Sequence, residues 1–331
     1  MRKGKLALVG VLAVSIALAS GCSPKTTSSS EGANGASQGE QTANVMPTTV
    51  YVADQNGFVV PLQVKIEKTD QIALGTLKQM ITGGSGDASL VSSGFQNVLP
   101  KGTEIRGISI NDGVAKVDLT KQANSFDSAL AEQRMVDGIV WSLTGLDGIK
   151  KVQLMIDGHV QPTLKNGTPV GEPISRANGI NLQVTSNVSP SQSTAVTLYF
   201  LGKSNDAKFS YLVPVTRMVP QIKDQNRVEL TVAELAKGPN NAGLEPLLSP
   251  DLKLAKSSIA DRVANLEFSQ GLIKEGADAV HVINSIVLSL SANAGVEKVM
   301  FTVGEKAPAT GGGLDLSKPV SVPPTINEHQ M

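Results

Sequence analysis

Few side chains of this sequence have the type and spacing that acid–base or metal chemistry requires. Its three histidines are His159, His281 and His329. No two of them have the i, i+4 spacing with which a helix presents two imidazoles to a zinc ion, and the single cysteine excludes a thiolate pair. We interpret all three as surface histidines without partners. The sequence also lacks the glycine-rich fingerprints that hold nucleotide phosphates, so it predicts neither a bound metal nor a cofactor.

Three other features are candidates for a catalytic site, and each has a simpler structural interpretation. The run Gly83–Gly86 resembles a nucleophile elbow but does not follow a strong strand, which favours a helix stop and a loop. Asp118 and Glu267 occupy equivalent positions in two similar segments. They could mark a shared function, but we favour the outward face of an alternating strand. Trp141, whose counterpart is Leu288, is expected in the core or at a subunit contact. We therefore predict that the protein is not an enzyme.

Cys22 is the one residue for which the sequence predicts a covalent modification. It ends the run Leu18-Ala19-Ser20-Gly21-Cys22. This run resembles a bacterial lipobox, in which small residues fit the signal peptidase and the thiol receives diacylglycerol. The alternative is a plain secretory signal with an incidental cysteine. Because the chain has no other cysteine, an intramolecular disulfide is impossible, and we predict lipidation at Cys22.

The residues on either side of Cys22 predict a signal peptide and a tether. Basic residues at positions 2, 3 and 5 precede the uncharged apolar run Leu6–Leu18. As a helix this run would be about 20 Å long, shorter than the roughly 30 Å hydrocarbon core of a bilayer. Residues 1–21 are therefore predicted to be a signal peptide, and the polar residues 22–45 a lipidated flexible tether. The expected location is the cell membrane, lipid-anchored on the extracytoplasmic face.

The composition of the 331-residue chain limits its architecture and its partners. At about 100–150 residues per domain, the length predicts two domains. The formal net charge is zero, which provides no long-range attraction to nucleic acid. Aromatic residues are only 3% of the chain, so platforms for stacking bases are scarce. We expect no nucleic-acid partner.

One sequence pattern occurs twice in the chain. Met135–Leu143 resembles Val282–Leu290, and the spacing of 147 residues continues into Val152–Ile156 and Val299–Val303. Within each copy, apolar residues fall at i, i+3, i+4 and i+7, the stripe of an amphipathic helix. An alternating, strand-like segment follows each helix. A repeat of this length indicates a duplicated domain and not a solenoid.

Further elements precede that helix in each copy. Ile105–Leu119 predicts a hairpin, and residues 254–268 predict its counterpart. A short helix with Asp70 as its predicted cap precedes the first hairpin, and two strands open each copy. The predicted fold is α+β: two tandem copies of a small two-layer β-β-α-β-β-α-β domain, with helices on one sheet face. The predicted divisions are 46–176 for the first domain, 177–193 for a linker, 194–322 for the second domain and 323–331 for a tail.

Five segments of the chain match the motifs of a known family. They are Leu212–Arg217, Leu99–Thr103, Gly113–Thr120, Val152–Gly158 and Leu314–Pro319. With the lipobox, they resemble the GerM family of sporulation and germination lipoproteins, which carry two GerM domains. The resemblance covers residues 46–322 and implies a fold similar to ring-building modules. It also implies a scaffold role in sporulation and spore germination, with protein partners in a channel-like complex between the two forespore membranes.

Two other functions stay open at this point. A tethered extracytoplasmic protein faces the cell wall, so the chain could be a peptidoglycan-remodelling enzyme or its regulator, which would require a convergent polar site. It could also be a solute-binding lipoprotein. That class usually has two larger lobes with a ligand cleft between them, and copies this small fit it poorly.

Overall fold

Helices and strands follow one another in nearly the same order in two successive parts of the chain. The computed structural model describes residues 44–184, 189–205, 208–221, 226–273, 278–304, 306, 308 and 313–328. The predicted signal peptide, Cys22, nearly all of the predicted tether and His329 lie outside the described residues.

The first copy contains five strands and three helices among the described residues. They are β1 (Val45–Ala53), β2 (Val59–Glu67), α1 (Ile72–Lys78), α2 (Asp87–Ser92), β3 (Ile105–Asn111), β4 (Val114–Leu119), α3 (Ala129–Leu143) and β5 (Lys151–Ile156). A two-residue strand, β6 (Gln183–Val184), lies between the copies.

The second copy repeats this order without a counterpart of α2. Its elements are β7 (Ser193–Lys203), β8 (Ser210–Pro220), α4 (Arg227–Ala236), β9 (Leu244–Glu245), β10 (Leu254–Ala260), β11 (Val263–Phe268), α5 (Ala279–Ala294), β12 (Lys298–Val303) and β13 (Val320–Ser321). The α+β class and the duplicated β-β-α-β-β-α-β order are confirmed.

The two long helices bury the apolar stripe that the repeat predicts. The stripe residues of α3, from Val136 to Leu143, are at most 2% exposed, and their counterparts on α5 are fully buried. A side-chain oxygen caps each helix start: Ser128 accepts a backbone hydrogen bond at α3, and Asp278 accepts two at α5. Burial of the apolar stripe and hydrogen bonding of the first N–H groups therefore stabilise equivalent helices, α3 in the first copy and α5 in the second.

The strands of each copy are divided between two sheets, where the sequence predicts one. β1 pairs with β2, and β7 pairs with β8 and briefly with β9. Separately, β3-β4-β5 and β10-β11-β12-β13 form sheets in which β4 and β5, like β11 and β12, run parallel. Because α3 contacts β1, β2 and β5, side-chain packing and not main-chain pairing joins the two sheets of the first copy.

A helix serine occupies the same place in both copies and explains part of this division. The Tyr51 backbone N–H donates to Ser142 Oγ at 2.8 Å, and the Tyr199 N–H donates to Ser289 Oγ at 3.0 Å. In each case an N–H at the outer edge of the strand has its partner on a helix. At that position the strand therefore needs no neighbouring strand, although β9 pairs with β7 two residues further along.

The predicted hairpins are confirmed, and both turn through two residues at positive φ. Asp112 and Gly113 have φ of 51° and 77°, and Asp261 and Arg262 have φ of 50° and 63°. Such angles match the twist of the flanking strands. The predicted cap of the first short helix is wrong. The N-cap of α1 is Gln71, whose N–H is bound by Thr69 Oγ1, so Asp70 precedes the helix.

Strands β2 and β8 lie side by side where the two copies meet, and Asn181 bridges them. Its Oδ1 accepts from Val59 N at 2.8 Å, and its Nδ2 donates to the carbonyl oxygens of Val59 at 2.8 Å and Pro214 at 2.7 Å. The side chain thus binds the edge of β2 as a neighbouring strand would, and also reaches β8.

Asn327 makes the reciprocal set of contacts from the other end of the chain. Its Oδ1 accepts from Leu212 N at 2.7 Å, and its Nδ2 donates to the carbonyl oxygens of Leu212 at 2.8 Å and Pro61 at 2.9 Å. Proline has no N–H, so Pro61 and Pro214 cannot donate to a ladder between β2 and β8. The two asparagine amides supply the missing donors.

The two bridging asparagines lie in the segments predicted as linker and tail. Asn181 follows Ile180, and Asn327 follows Ile326, so a short Ile-Asn pair ends each copy. Both asparagines have positive φ, 47° and 59°. The segment predicted as a linker is partly structured, because it also contains β6, which pairs in parallel with β8.

Candidate functional site

A cleft of about 1290 Å³ lies between the copies and the C-terminal segment. Equivalent residues of the two copies line it in pairs, Tyr51 with Tyr199 and Trp141 with Leu288. Most of strand β3 and residues 322–326 also line it. The cleft therefore depends on both copies being present and on the way they pack.

Two tyrosine hydroxyls in this cleft have no hydrogen-bond partner among the described residues. Tyr51 is 2% exposed and Tyr199 is 3% exposed, yet neither hydroxyl forms a hydrogen bond with a described residue. Burial raises the pKa of both phenols, so both keep their proton at neutral pH. Neither hydroxyl oxygen is fully shielded from solvent, so both are open to the cleft and offer hydrogen-bonding groups to a bound molecule.

A stacked pair of side chains borders the cleft. The Arg176 guanidinium lies 4.6 Å from the centre of the Trp141 ring, and it donates to the Trp141 carbonyl oxygen at 2.9 Å. The indole N–H donates to the Gly179 carbonyl oxygen at 3.1 Å. Trp141 is 2% exposed, and it holds the chain after the first copy against α3. This arrangement places the positive charge of Arg176 at the margin of the cleft.

Arg217, which belongs to one of the family-like segments, is a buried structural residue. It is 2% exposed and binds Glu234 on α4, with 3.0 Å between Nη1 and Oε2. Its remaining N–H groups donate to the Gly238 carbonyl oxygen at 2.6 Å and to Gln183 Oε1 on β6 at 3.1 and 3.2 Å. One guanidinium thereby joins β8, α4 and the segment between the copies.

Direct contacts between the copies extend beyond the asparagine bridges. The Tyr211 hydroxyl donates to Asp54 Oδ2 at 2.9 Å, and Gln55 Nε2 donates to the Lys203 carbonyl oxygen at 2.7 Å. The rings of Tyr211 and Phe95 meet edge to face with centroids 5.2 Å apart. Burial raises the pKa of Asp54, against the hydrogen bonds that lower it. The copies are therefore packed as one unit and not merely tethered.

His159 and His281, the two histidines among the described residues, each contact a residue of their own segment and share no site. His159 is exposed in a turn, as predicted, but it is not without a partner, because its Nδ1 lies 2.8 Å from the Asp157 carbonyl oxygen. The prediction that His281 has no partner is also wrong, because its Nδ1 lies 2.7 Å from Asp278 Oδ2 at the start of α5. Burial raises the pKa of Asp278, but hydrogen bonds led by that from His281 outweigh it and lower the pKa.

The other sequence candidates have structural roles. Asp118 lies 3.4 Å from Arg106, and Glu267 lies 3.2 Å from Lys256, so each acid forms an ion pair across its hairpin. The run Gly83–Gly86 forms the loop between α1 and α2, as predicted. In the described part of the chain, no group of three or more His, Cys, Asp and Glu could hold a metal ion. None of its helices is long and apolar enough to cross a bilayer.

Sequence reasoning missed the residues that build the cleft and the junction. The Ile-Asn pairs at 180–181 and 326–327 are 146 residues apart, one short of the repeat spacing, and could have been found by extending the repeat comparison. The pair Tyr51 and Tyr199 was also visible as equivalent tyrosines in the opening strands. That both tyrosines face one cleft depends on how the two copies pack, and the spacing of residues along the sequence does not reveal this packing.

Comparison with known proteins agrees with this architecture. A family model described as "Germane: Sporulation and spore germination" matches residues 49–162 and again 197–308. Over 297 residues the chain is 30% identical to the spore germination protein GerM of Bacillus subtilis, covering 87% of this chain and 80% of that protein. A solved structure of the tandem GerMN domains of that sporulation protein matches with a TM-score of 0.76, at 30% identity, over 86% of this chain and all of that one.

Both family matches fall on the two structural copies, and the solved tandem structure spans their junction as well. The duplicated domains, the fold and the sequence agree on the same relatives, which are sporulation and germination proteins. The chain is therefore a member of the Germane family of sporulation and spore germination proteins, with two family domains in tandem.

Proposed function

We propose that this chain is an extracytoplasmic scaffold lipoprotein of sporulation and spore germination. Lipid on Cys22 anchors it to the cell membrane, and residues 23–45 carry the two domains away from the lipid. There it binds other proteins and supports assembly of a channel-like complex between the forespore membranes. The proposal assigns it no reaction and no cofactor.

The observation that carries this proposal is the likeness to the tandem domains of the sporulation protein GerM over 86% of the chain. The packed junction adds support, because two domains that Asn181 and Asn327 lock together present fixed surfaces to partners. The anchor rests on the lipobox-like run that ends at Cys22.

The anchor is tested by Cys22→Ala in the native host. We expect the variant to incorporate no labelled palmitate and to leave the membrane fraction or stall as a precursor, because the acyl chains supply the membrane affinity. Ser28→Thr in the predicted tether, which leaves the lipobox-like run unchanged, is the matched control. An equal membrane fraction and equal label in Cys22→Ala would overturn the anchor.

The role is tested by deleting the gene and scoring the stage at which sporulation stops, together with germination. Loss of a channel component from the forespore membranes in the deletion strain supports the scaffold. Normal yields of heat-resistant, germinating spores would contradict it. Altered muropeptides with all channel components in place would favour the alternative, a peptidoglycan-remodelling enzyme or its regulator.

A further inference from the structure

We propose that the cleft between the copies binds an extended segment of a partner polypeptide, which pairs through its main chain with the free edge of β3. This inference rests on the proposed function, because a scaffold must hold other proteins, and it names the kind of contact. The segment it fits is strand-forming, with apolar side chains at alternate positions.

The first argument is the position of β3. In the sheet order β3-β4-β5 it is an edge strand. A two-residue turn makes Asn111 and Val114 a hydrogen-bonded pair, so Ser109 also bonds inward, while the N–H and C=O groups of Ile108 and Ile110 point outward. No described residue forms a hydrogen bond with that outer edge.

The second argument is what lies beside this edge. Ile108 and Ile110 line the cleft, together with apolar side chains of α1, α3 and α5. A strand added to β3 would place alternate side chains in the cleft. The unpartnered hydroxyls of Tyr51 and Tyr199 could then bind its polar groups, and the Arg176 guanidinium at the margin could bind a carboxylate.

The third argument is size and continuity. Small-molecule sites usually enclose about 300–1,000 Å³, and this cleft of about 1290 Å³ is larger and is lined by residues of both copies. The chain itself already adds extended segments to its strands in this region. β13 pairs with β12, β6 pairs with β8, and Glu328 forms a bridge with Gln63 on β2. A strand added from another protein would pair with β3 in the same way, through main-chain hydrogen bonds.

The experiment selects a displayed library of random twelve-residue peptides on the detergent-purified full-length protein. Enriched peptides are synthesised, and their affinities are measured by fluorescence anisotropy. The test variant is Ile110→Pro, which removes an outward N–H without removing a bond to β4. The matched control is Ile259→Pro at the equivalent position of β10, since both isoleucines are 49% exposed and β10 does not line the cleft.

We expect enriched peptides to bind at least tenfold more weakly to Ile110→Pro and unchanged to Ile259→Pro. The double variant Tyr51→Phe/Tyr199→Phe, which removes only the two hydroxyls, should weaken binding severalfold. A library that yields no binder, or peptides that bind Ile110→Pro as tightly as the wild type, would overturn the proposal. Unchanged binding by the double tyrosine variant would overturn the role of the hydroxyls.

The two proposals fail separately. If deletion of the gene stops sporulation but no peptide binds at β3, the scaffold role stands and the cleft does not bind an added strand. If peptides bind at β3 but the deletion strain sporulates and germinates normally, the cleft binds an added strand and the scaffold role in sporulation is wrong.

Discussion

Asp137 is a buried acid at the junction whose charge opposes folding. It lies on α3, is 8% exposed, and accepts a hydrogen bond from Gln133 Nε2 at 2.7 Å. Burial raises its pKa to about 6, although the bonds from Gln133 and the Asn181 backbone lower it in part. The folded state therefore holds a proton on Asp137 more tightly than the unfolded state does. Its contribution to stability is complete below about pH 4 and is lost as the pH rises to about 6.

We expect Asp137→Asn to stabilise the protein at neutral pH. A rise of about two pKa units corresponds to about 3 kcal/mol, and the amide keeps an acceptor for Gln133, so a gain of about 1–3 kcal/mol should appear at pH 7. Urea denaturation between pH 4 and pH 7 measures it, with the exposed Asp251→Asn as control. A loss of stability in Asp137→Asn at every pH would contradict the argument.

At the scale of elements, one buried ion pair holds α4 against β8. Arg217 and Glu234 are 2% and 4% exposed, and the guanidinium also binds Gln183 on β6. Removing charges from water is costly, and the pair is tolerated because every group in it has a partner. The pair itself was not predicted from the sequence.

Removing one partner of this pair should be far more damaging than removing both. Glu234→Ala leaves the Arg217 guanidinium buried without its counter-charge, so we expect a loss of about 3–5 kcal/mol in unfolding free energy. Glu229→Ala, which removes an exposed acid on the same helix, should lose less than about 1 kcal/mol. The double variant Arg217→Met/Glu234→Leu should lose less than Glu234→Ala alone. Equal losses in Glu234→Ala and Glu229→Ala would contradict this account.

At the scale of the whole molecule, the two copies are joined by reciprocal contacts at β2 and β8. The edges of these strands cannot form a full ladder because Pro61 and Pro214 lack N–H groups. Sheet edges left open attract other chains, and the side chains of Asn181 and Asn327 occupy them instead. Residues of both copies line the cleft, so the relative placement of the copies determines the candidate binding surface.

Substituting either bridging asparagine should loosen the junction. Asn181→Ala and Asn327→Ala each leave one N–H and two carbonyl groups without partners, so we expect each to lower the unfolding free energy by about 2–4 kcal/mol. Hydrogen exchange should report faster opening at β2 and β8. Asn240→Ala, at an exposed position, is the control. Losses below about 0.5 kcal/mol in both bridge variants would show that packing alone holds the copies together.

The sequence predicted well those features that depend on neighbouring residues. The stripes of α3 and α5 follow from 3.6-residue periodicity, and the hairpin turn at 112–113 follows from residues that tolerate positive φ. The turn at 261–262 was predicted only as the counterpart of the first, because arginine does not favour the positive φ that Arg262 adopts. Because the pattern is repeated, a second segment 147 residues away supports each of these predictions. The wrong cap at Asp70 is an error of one residue: the N-cap is Gln71, and its N–H donates to Thr69 Oγ1.

By itself, the sequence therefore determined the α+β class, the two copies and the family, because periodicity, turn chemistry and repetition are local properties of the chain. The tertiary structure decided the division of each copy into two sheets, the asparagine bridges and the cleft. Those features bring together residues such as Pro61 and Asn327 that are far apart in the chain. A spacing pattern carries no information about such contacts, since which strand edges and side chains meet depends on how the two copies pack.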